Sequence, residues 1–188
     1  LELIEYLNSR FSDESLFIID SNLNNFKIDE QVNARVSYFD INEEAKNLTS
    51  VEKIWDLLFQ YNLNRSSEIV IIGGGVLLDV CAFASSTFKR GVSFTFVPST
   101  LLSMVDASHG GKNGFNNTYG KNQIGTFTLP ESVIVCYQLL DTLPENHYKD
   151  GLIELIKHGM IANEKIFNSM ITKTSFNVDF EIIREGID

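Results

Sequence analysis

Residues 68–79 read Glu68-Ile-Val-Ile-Ile-Gly-Gly-Gly-Val-Leu-Leu-Asp79. The unbroken apolar run at 69–72 is the pattern of a strand buried on both faces. It opens into three glycines, and a helix is expected over residues 77–88. A glycine turn after a buried strand lets bare backbone N–H groups approach a phosphate, and the helix that follows adds a favourable dipole. The spacing is not G-x-G-x-x-G, so a plain strand-to-helix turn is the competing reading. The triple glycine alone leaves the two open.

Outward from this stretch, apolar runs at 16–19, 35–39, 93–97 and 133–135 predict further strands. Val51, Ile54, Trp55, Leu58 and Phe59 recur at helical spacing, and Ser50 is placed to cap that helix. Residues 99–104 predict the start of a short helix, and 110–125 a long polar loop. From Pro144 the pattern is helical, over 151–161, 164–171 and 180–187. Strands alternating with helices predict an α/β fold with a mostly parallel sheet. A nucleotide-binding α/β domain is expected over 1–143, and residues 144–188 begin an all-α domain. The sequence starts at Leu1 and stops at Asp188 inside a helical pattern, which reads as part of a longer protein.

The chain has 188 residues, 44% hydrophobic and 21% charged with 3 prolines, which is a globular composition. Its formal charge of -10 supplies no basic face for nucleic acid. No apolar stretch reaches membrane-spanning length. Cys81 and Cys136 lie in apolar runs without metal-pair spacing, and read as buried, reduced thiols of a cytoplasmic protein.

Positive charge matters locally. Lys112 and Lys121 each follow glycine, with Asp106 and Asn122 near in sequence, and suggest a second, anionic ligand beside the first. A solvated loop lysine is the alternative at each. Lys89 and Arg90 read most simply as C-terminal charges on the helix dipole. Glu154, Lys157 and His158 share one helix face. Glu154 with His158 has the spacing of a two-ligand metal helix, but spacing alone equally suits a surface ion pair. His109 and His147 belong to no motif. No serine–histidine–aspartate arrangement with a nucleophile turn occurs, which argues against acyl hydrolysis.

Taken in order, six segments resemble the 3-dehydroquinate synthase family of sugar phosphate cyclases. They are Gly73-Gly-Gly-Val-Leu-Leu-Asp79, Phe88-Lys-Arg-Gly91, Val97-Pro-Ser-Thr-Leu-Leu102, Val105-Asp-Ala-Ser-His-Gly-Gly-Lys-Asn-Gly114, Gly120-Lys-Asn-Gln-Ile-Gly125 and Gly151-Leu-Ile-Glu-Leu-Ile-Lys-His-Gly159. The resemblance covers about residues 68–165, and more weakly 40–46. It implies a Rossmann-like fold, NAD, and a divalent metal, zinc or cobalt. It implies a lyase of aromatic amino acid biosynthesis (the shikimate pathway). That enzyme turns 3-deoxy-D-arabino-heptulosonate 7-phosphate into 3-dehydroquinate and phosphate, with NAD recycled.

Carried over by position, the resemblance implies that Gly74, Gly75, Val76, Asp79, Ser99 and Thr100 face NAD. Lys121 lies beside the cofactor, Leu139 to Thr142 close over it, and Glu43 and Lys46 sit on its adenosine side. Asp106, Lys112, Asn122 and Lys157 contact substrate, Asp106 and Lys112 also bordering the cofactor. Arg90 matches an arginine that reaches the substrate phosphate of a neighbouring subunit, so a homodimer is expected. Glu154 matches a metal ligand. The family's two histidine ligands would follow Asp188, so weak or absent metal binding and little turnover are expected of this chain. Ser99 and Asn113 stand where threonines are common, and Leu78 and Ala82 where glycines are common. Alternatives are a sedoheptulose 7-phosphate cyclase, a metal-dependent polyol dehydrogenase and a non-catalytic nucleotide-binding module.

Overall fold

The computed structural model describes residues 2–26, 34–172 and 178–187. Five strands form a parallel sheet: β1 (Leu16–Asp20), β2 (Arg35–Phe39), β3 (Glu68–Gly73), β4 (Ser93–Pro98) and β7 (Ser132–Val133). Their order is β2-β1-β3-β4-β7. β2 lies on one side of β1 and β3 on the other, so the chain reverses direction across the sheet between β1 and β3. In open parallel sheets that switch point, beyond the carboxyl ends of the strands, is where a crevice forms.

The apolar runs are explained by burial on both faces. Leu16, Ile18, Ile69, Ile71, Phe94 and Phe96 point into one core, with α2 (Leu48–Gln60) and α3 (Gly75–Thr87). Phe17, Ile19, Val70, Ile72 and Val97 point into the other. There they meet Leu7 of α1 (Glu2–Arg10), Leu152 and Leu155 of α4 (Glu145–Ile161) and Ile183 of α6 (Phe180–Ile187). α5 (Glu164–Thr172) packs against α4. The helices after Pro144 therefore share a core with the sheet. Each fully buried aliphatic side chain contributes about 1.5–3 kcal/mol.

The structure corrects several expectations. Residues 110–125 are mostly an antiparallel hairpin, β5 (Lys112–Asn117) and β6 (Gly120–Phe127), rather than a loop. Its glycines Gly114 and Gly125 face each other across the ladder. A Cβ on either would run into backbone, the Ile124 carbonyl in one case and the Asn113 carbonyl in the other. Asn47, and not Ser50, caps α2: its side chain accepts from the Ser50 N–H. α4 begins at Glu145, six residues before the predicted start. Residues 103–107 form a π-helical turn, which Thr100 and Ser103 begin by bonding each other's backbone N–H. α1 has no counterpart in the sequence reading. Cys81 is buried, whereas Cys136 is only half-buried.

α3 is apolar almost all round because it is covered almost all round. The sheet packs on one side, and β5 packs on another through Phe83 and Phe115, whose rings meet edge-on with centroids 5.2 Å apart. Leu78 and Ala82 are fully buried in this sandwich. Asn113 is buried too, donating to the carbonyls of Gly111 and Thr128 and accepting from the Thr126 hydroxyl. It closes the base of the hairpin with bonds that a threonine hydroxyl could not all make.

Candidate active site

α3 starts at the carboxyl edge of the sheet. Gly74 is its N-cap, with extended backbone (φ -77°, ψ 171°) and no side-chain cap bond. The first N–H groups of the helix are thus left without a side-chain cap. None of the three glycines has positive φ. Their reason is space: a Cβ at Gly73 would stand 2.7 Å from Leu77 Cδ2, one at Gly74 3.2 Å from Thr100 Cγ2, and one at Gly75 3.2 Å from the Ala107 Cβ.

Two clefts flank this helix start. The first, about 600 Å³, is lined by Gly74, Gly75, Val76, Ser99, Thr100 and, across from them, Leu139 and Thr142. Glu43 is at its edge. The second, about 750 Å³, takes in Asp79, Asp106, Lys112 and Asn122. The ends of β3 and β4, aligned by the Gly73–Pro98 register, carry the glycines, Ser99 and Thr100, while the π-helical turn carries Asp106 and the β5–β6 hairpin carries Lys112 and Asn122.

A polar network ties the clefts together. Lys46 is 5% exposed, and its ammonium donates to Asp79 Oδ2 at 2.5 Å and Asn122 Oδ1 at 2.7 Å. The Lys46 carbonyl accepts from the Asn116 N–H at 2.8 Å. Asn122 has φ 53°, a left-handed backbone that asparagine tolerates better than most residues, within a hairpin whose register shifts between Phe115 and Asn117. Burial pushes the Asp79 carboxyl above the ordinary carboxylate range, against the pull of Lys46, with Glu43 and Asp106 adding to the upward push. Burial also acts upward on Glu43. Hydrogen bonds from Asn116 and Lys121, with the charges of Lys46 and Lys121, outweigh it and hold that carboxyl below its usual range.

Other expected site residues lie further off. Lys121 is 73% exposed and pairs with Glu43 at 3.0 Å, touching the rim of the first cleft and lining neither. Arg90 lies at the opposite end of α3, in a turn where Lys89 and Arg90 both have positive φ. A 13-residue helix spans roughly 20 Å, so Arg90 does not reach the clefts of its own chain. Lys157 donates to Glu154, which raises the lysine's pKa. Glu154 is 15% exposed. Carboxylate oxygens of Asp106 and Glu154 and a ring nitrogen of His158 all lie within 4.8 Å of one another.

The structure also adds residues that the sequence reading did not assign to the site. Asp20 and Asn22, just after β1, line the first cleft. Asp20 Oδ1 accepts from both the backbone and the side-chain nitrogen of Asn22. His147 lines the same cleft and His109 the second. Asp20-Ser-Asn22 has the composition of a turn, and its place at the carboxyl end of a parallel strand is the signal that marks it. The histidines carried no such signal.

The family model described as the N-terminal part of 3-dehydroquinate synthase matches residues 37–150. A 3-dehydroquinate synthase of Pelagibacter ubique is 40% identical over 166 residues, covering 85% of this chain and 45% of that protein. The chain thus spans less than half the length of this curated relative. Among solved structures, 2-deoxy-scyllo-inosose synthase complexed with carbaglucose-6-phosphate, NAD+ and Co2+ is 27% identical with a TM-score of 0.74. That match covers 85% of this chain and 46% of the other. The 2-epi-5-epi-valiolone synthase of Streptomyces hygroscopicus shares the fold, with a TM-score of 0.82 at 23% identity over 92% of this chain and 53% of its own.

Proposed function

Because this chain belongs to the 3-dehydroquinate synthase family, we propose that it forms the cofactor-holding part of an enzyme that converts 3-deoxy-D-arabino-heptulosonate 7-phosphate to 3-dehydroquinate and phosphate. The enzyme would be a lyase of aromatic amino acid biosynthesis, acting in the cytoplasm. Residues 1–143 would hold NAD, and 144–188 would begin the helical part that completes the site.

The observation that carries this reading is the pair of clefts on either side of the α3 N-terminus. The first fits a dinucleotide. Its floor is backbone that no Cβ covers, and its helix N-terminus suits a diphosphate. Gly74, Gly75 and Val76 would receive the diphosphate, Ser99 and Thr100 would add hydroxyls, and Leu139 and Thr142 would cover it. Bound NAD supplies a hydride acceptor that is regenerated within each cycle. The second cleft fits a small acid. Lys112 would offset its carboxylate, while Asp106 and Asn122 would fix the hydroxyls and so the pose. A divalent metal held at Glu154 would polarise a substrate hydroxyl. Lys121 reaches the cofactor rim through Glu43, beside Lys46. Arg90, remote from its own clefts, would serve a second copy, so the working unit would be a homodimer.

Ligand choice tests the reading. With NAD+ present, the heptulosonate phosphate binds at least about tenfold more tightly than sedoheptulose 7-phosphate, and Lys112→Met removes most of the difference, as expected for a charge-assisted contact. Equal binding of the two sugars would contradict the assignment and favour the sedoheptulose cyclase. The chain by itself releases little phosphate from the heptulosonate, and steady release would show that these residues already complete the site.

A further inference from the structure

We propose that His109 is a ligand-selecting residue of the second cleft, and that its Nδ1 accepts a hydrogen bond from a hydroxyl of the sugar acid held there. The family resemblance gives this residue no role. The structure places it in the cleft wall between Asp106 and Lys112.

The backbone around His109 is fixed on both sides. The Ser108 N–H donates to the Ser103 carbonyl at 3.1 Å, and the His109 N–H donates to the Asp106 carbonyl at 2.9 Å. Gly110 and Gly111 then take φ values of 79° and 67°, which turn the chain into β5. The imidazole is held as well, because Nε2 lies 2.8 Å from the Met104 carbonyl oxygen. A carbonyl only accepts, so Nε2 carries the proton, and in the neutral ring Nδ1 is left as an acceptor. Among the described residues that nitrogen has no hydrogen-bond partner. It is not sealed off either: the buried side-chain atoms without a partner are Ser108 Oγ and Glu185 Oε2. An accessible lone pair on a half-buried ring in the cleft wall meets what the cleft holds.

The chemistry of that atom decides what it selects. Lys112 only donates and suits a carboxylate. Nδ1 of the neutral ring only accepts, so it pairs with a hydroxyl and has nothing to give a carboxylate or ketone oxygen. Unlike Asp106, it takes a hydroxyl proton without setting a negative charge beside an anionic ligand. A ligand lacking that hydroxyl would desolvate Nδ1 and leave it unpaired, and such a penalty discriminates more strongly than apolar contact does.

This inference rests on the reading of the second cleft as a sugar-acid site, and its test separates the two. The 188-residue chain is isotope-labelled at its histidine nitrogens and followed by long-range proton–nitrogen correlation spectra in mildly alkaline buffer with NAD+ present. His109 shows the Nε2-protonated tautomer, and its Nδ1 resonance moves upfield as the heptulosonate phosphate saturates the chain. In His109→Gln the terminal amide still donates to the Met104 carbonyl but offers no acceptor where Nδ1 stood. That variant, folded by circular dichroism, binds the heptulosonate at least about tenfold more weakly and binds NAD+ as before. An Nδ1 resonance that stays put at saturation, or a glutamine variant that binds the sugar as tightly as the native chain, overturns the inference and leaves the sugar-acid reading standing. A native chain that binds NAD+ but no heptulosonate overturns both.

Discussion

Lys46 joins the fold to the site at the scale of one side chain. Its buried ammonium holds Asp79 on α3 and Asn122 on the hairpin, while its backbone carbonyl holds Asn116. Removing a partner of a buried ion pair costs more than the pair contributes, because a charge is left uncompensated. Lys46→Met is expected to lower stability by about 3 kcal/mol in urea unfolding. The sign with pH follows from Asp79. Its titration already lies above the ordinary range and rises further without Lys46, so ionised Asp79 opposes folding at neutral pH. The deficit of the variant shrinks as pH falls through that raised titration and the carboxyl takes up a proton. Adding Asp79→Asn to Lys46→Met should recover part of it at neutral pH. A deficit that did not change with pH would show that Lys46 acts through packing alone. No residue spacing displays this network, since Lys46 and Asn122 are 76 positions apart.

Among elements, the hairpin shows where sequence stops being readable and why. β1, β3 and β4 of the main sheet announce themselves because both their faces are buried. β6 has no buried residue, and β5 buries only Asn113, Gly114 and Phe115, so the period-two signal is nearly absent. The glycines that suggest a loop are there because the two strands press together. α1 did carry a signal, Leu3, Ile4, Leu7 and Phe11 at helical spacing, but over only nine residues. Gly114→Ala is expected to cost about 1–3 kcal/mol by overpacking. The loss should appear as a lower denaturant midpoint together with faster amide exchange across β5 and β6. A neutral outcome would mean that the strands can separate freely, and the hairpin would then be a poor support for Lys112 and Asn122.

For the molecule as a whole, the parallel order of strands decides the location of everything else. It puts the ends of β1, β3 and β4 on one edge, and that edge carries both clefts. The glycine turn and the ordered segments of the sequence pick out residues that line these clefts, among them Gly74, Gly75, Ser99, Thr100, Asp106 and Lys112. They do not show Asp20, Asn22, His109 or His147 beside them, because adjacency across strands depends on register. The helices after Pro144 complete the edge by packing Leu152 and Leu155 into the same core as Val97 and Leu101. The central claim is that backbone at the start of α3 receives a cofactor diphosphate. An amide nitrogen–proton correlation spectrum of the chain, titrated with NAD+, tests it most directly. The largest saturable shifts are expected at the amides of Gly74, Gly75 and Val76, with smaller ones at Ser99 and Thr100. Shifts confined to other parts of the chain, or none at high NAD+, would contradict the account.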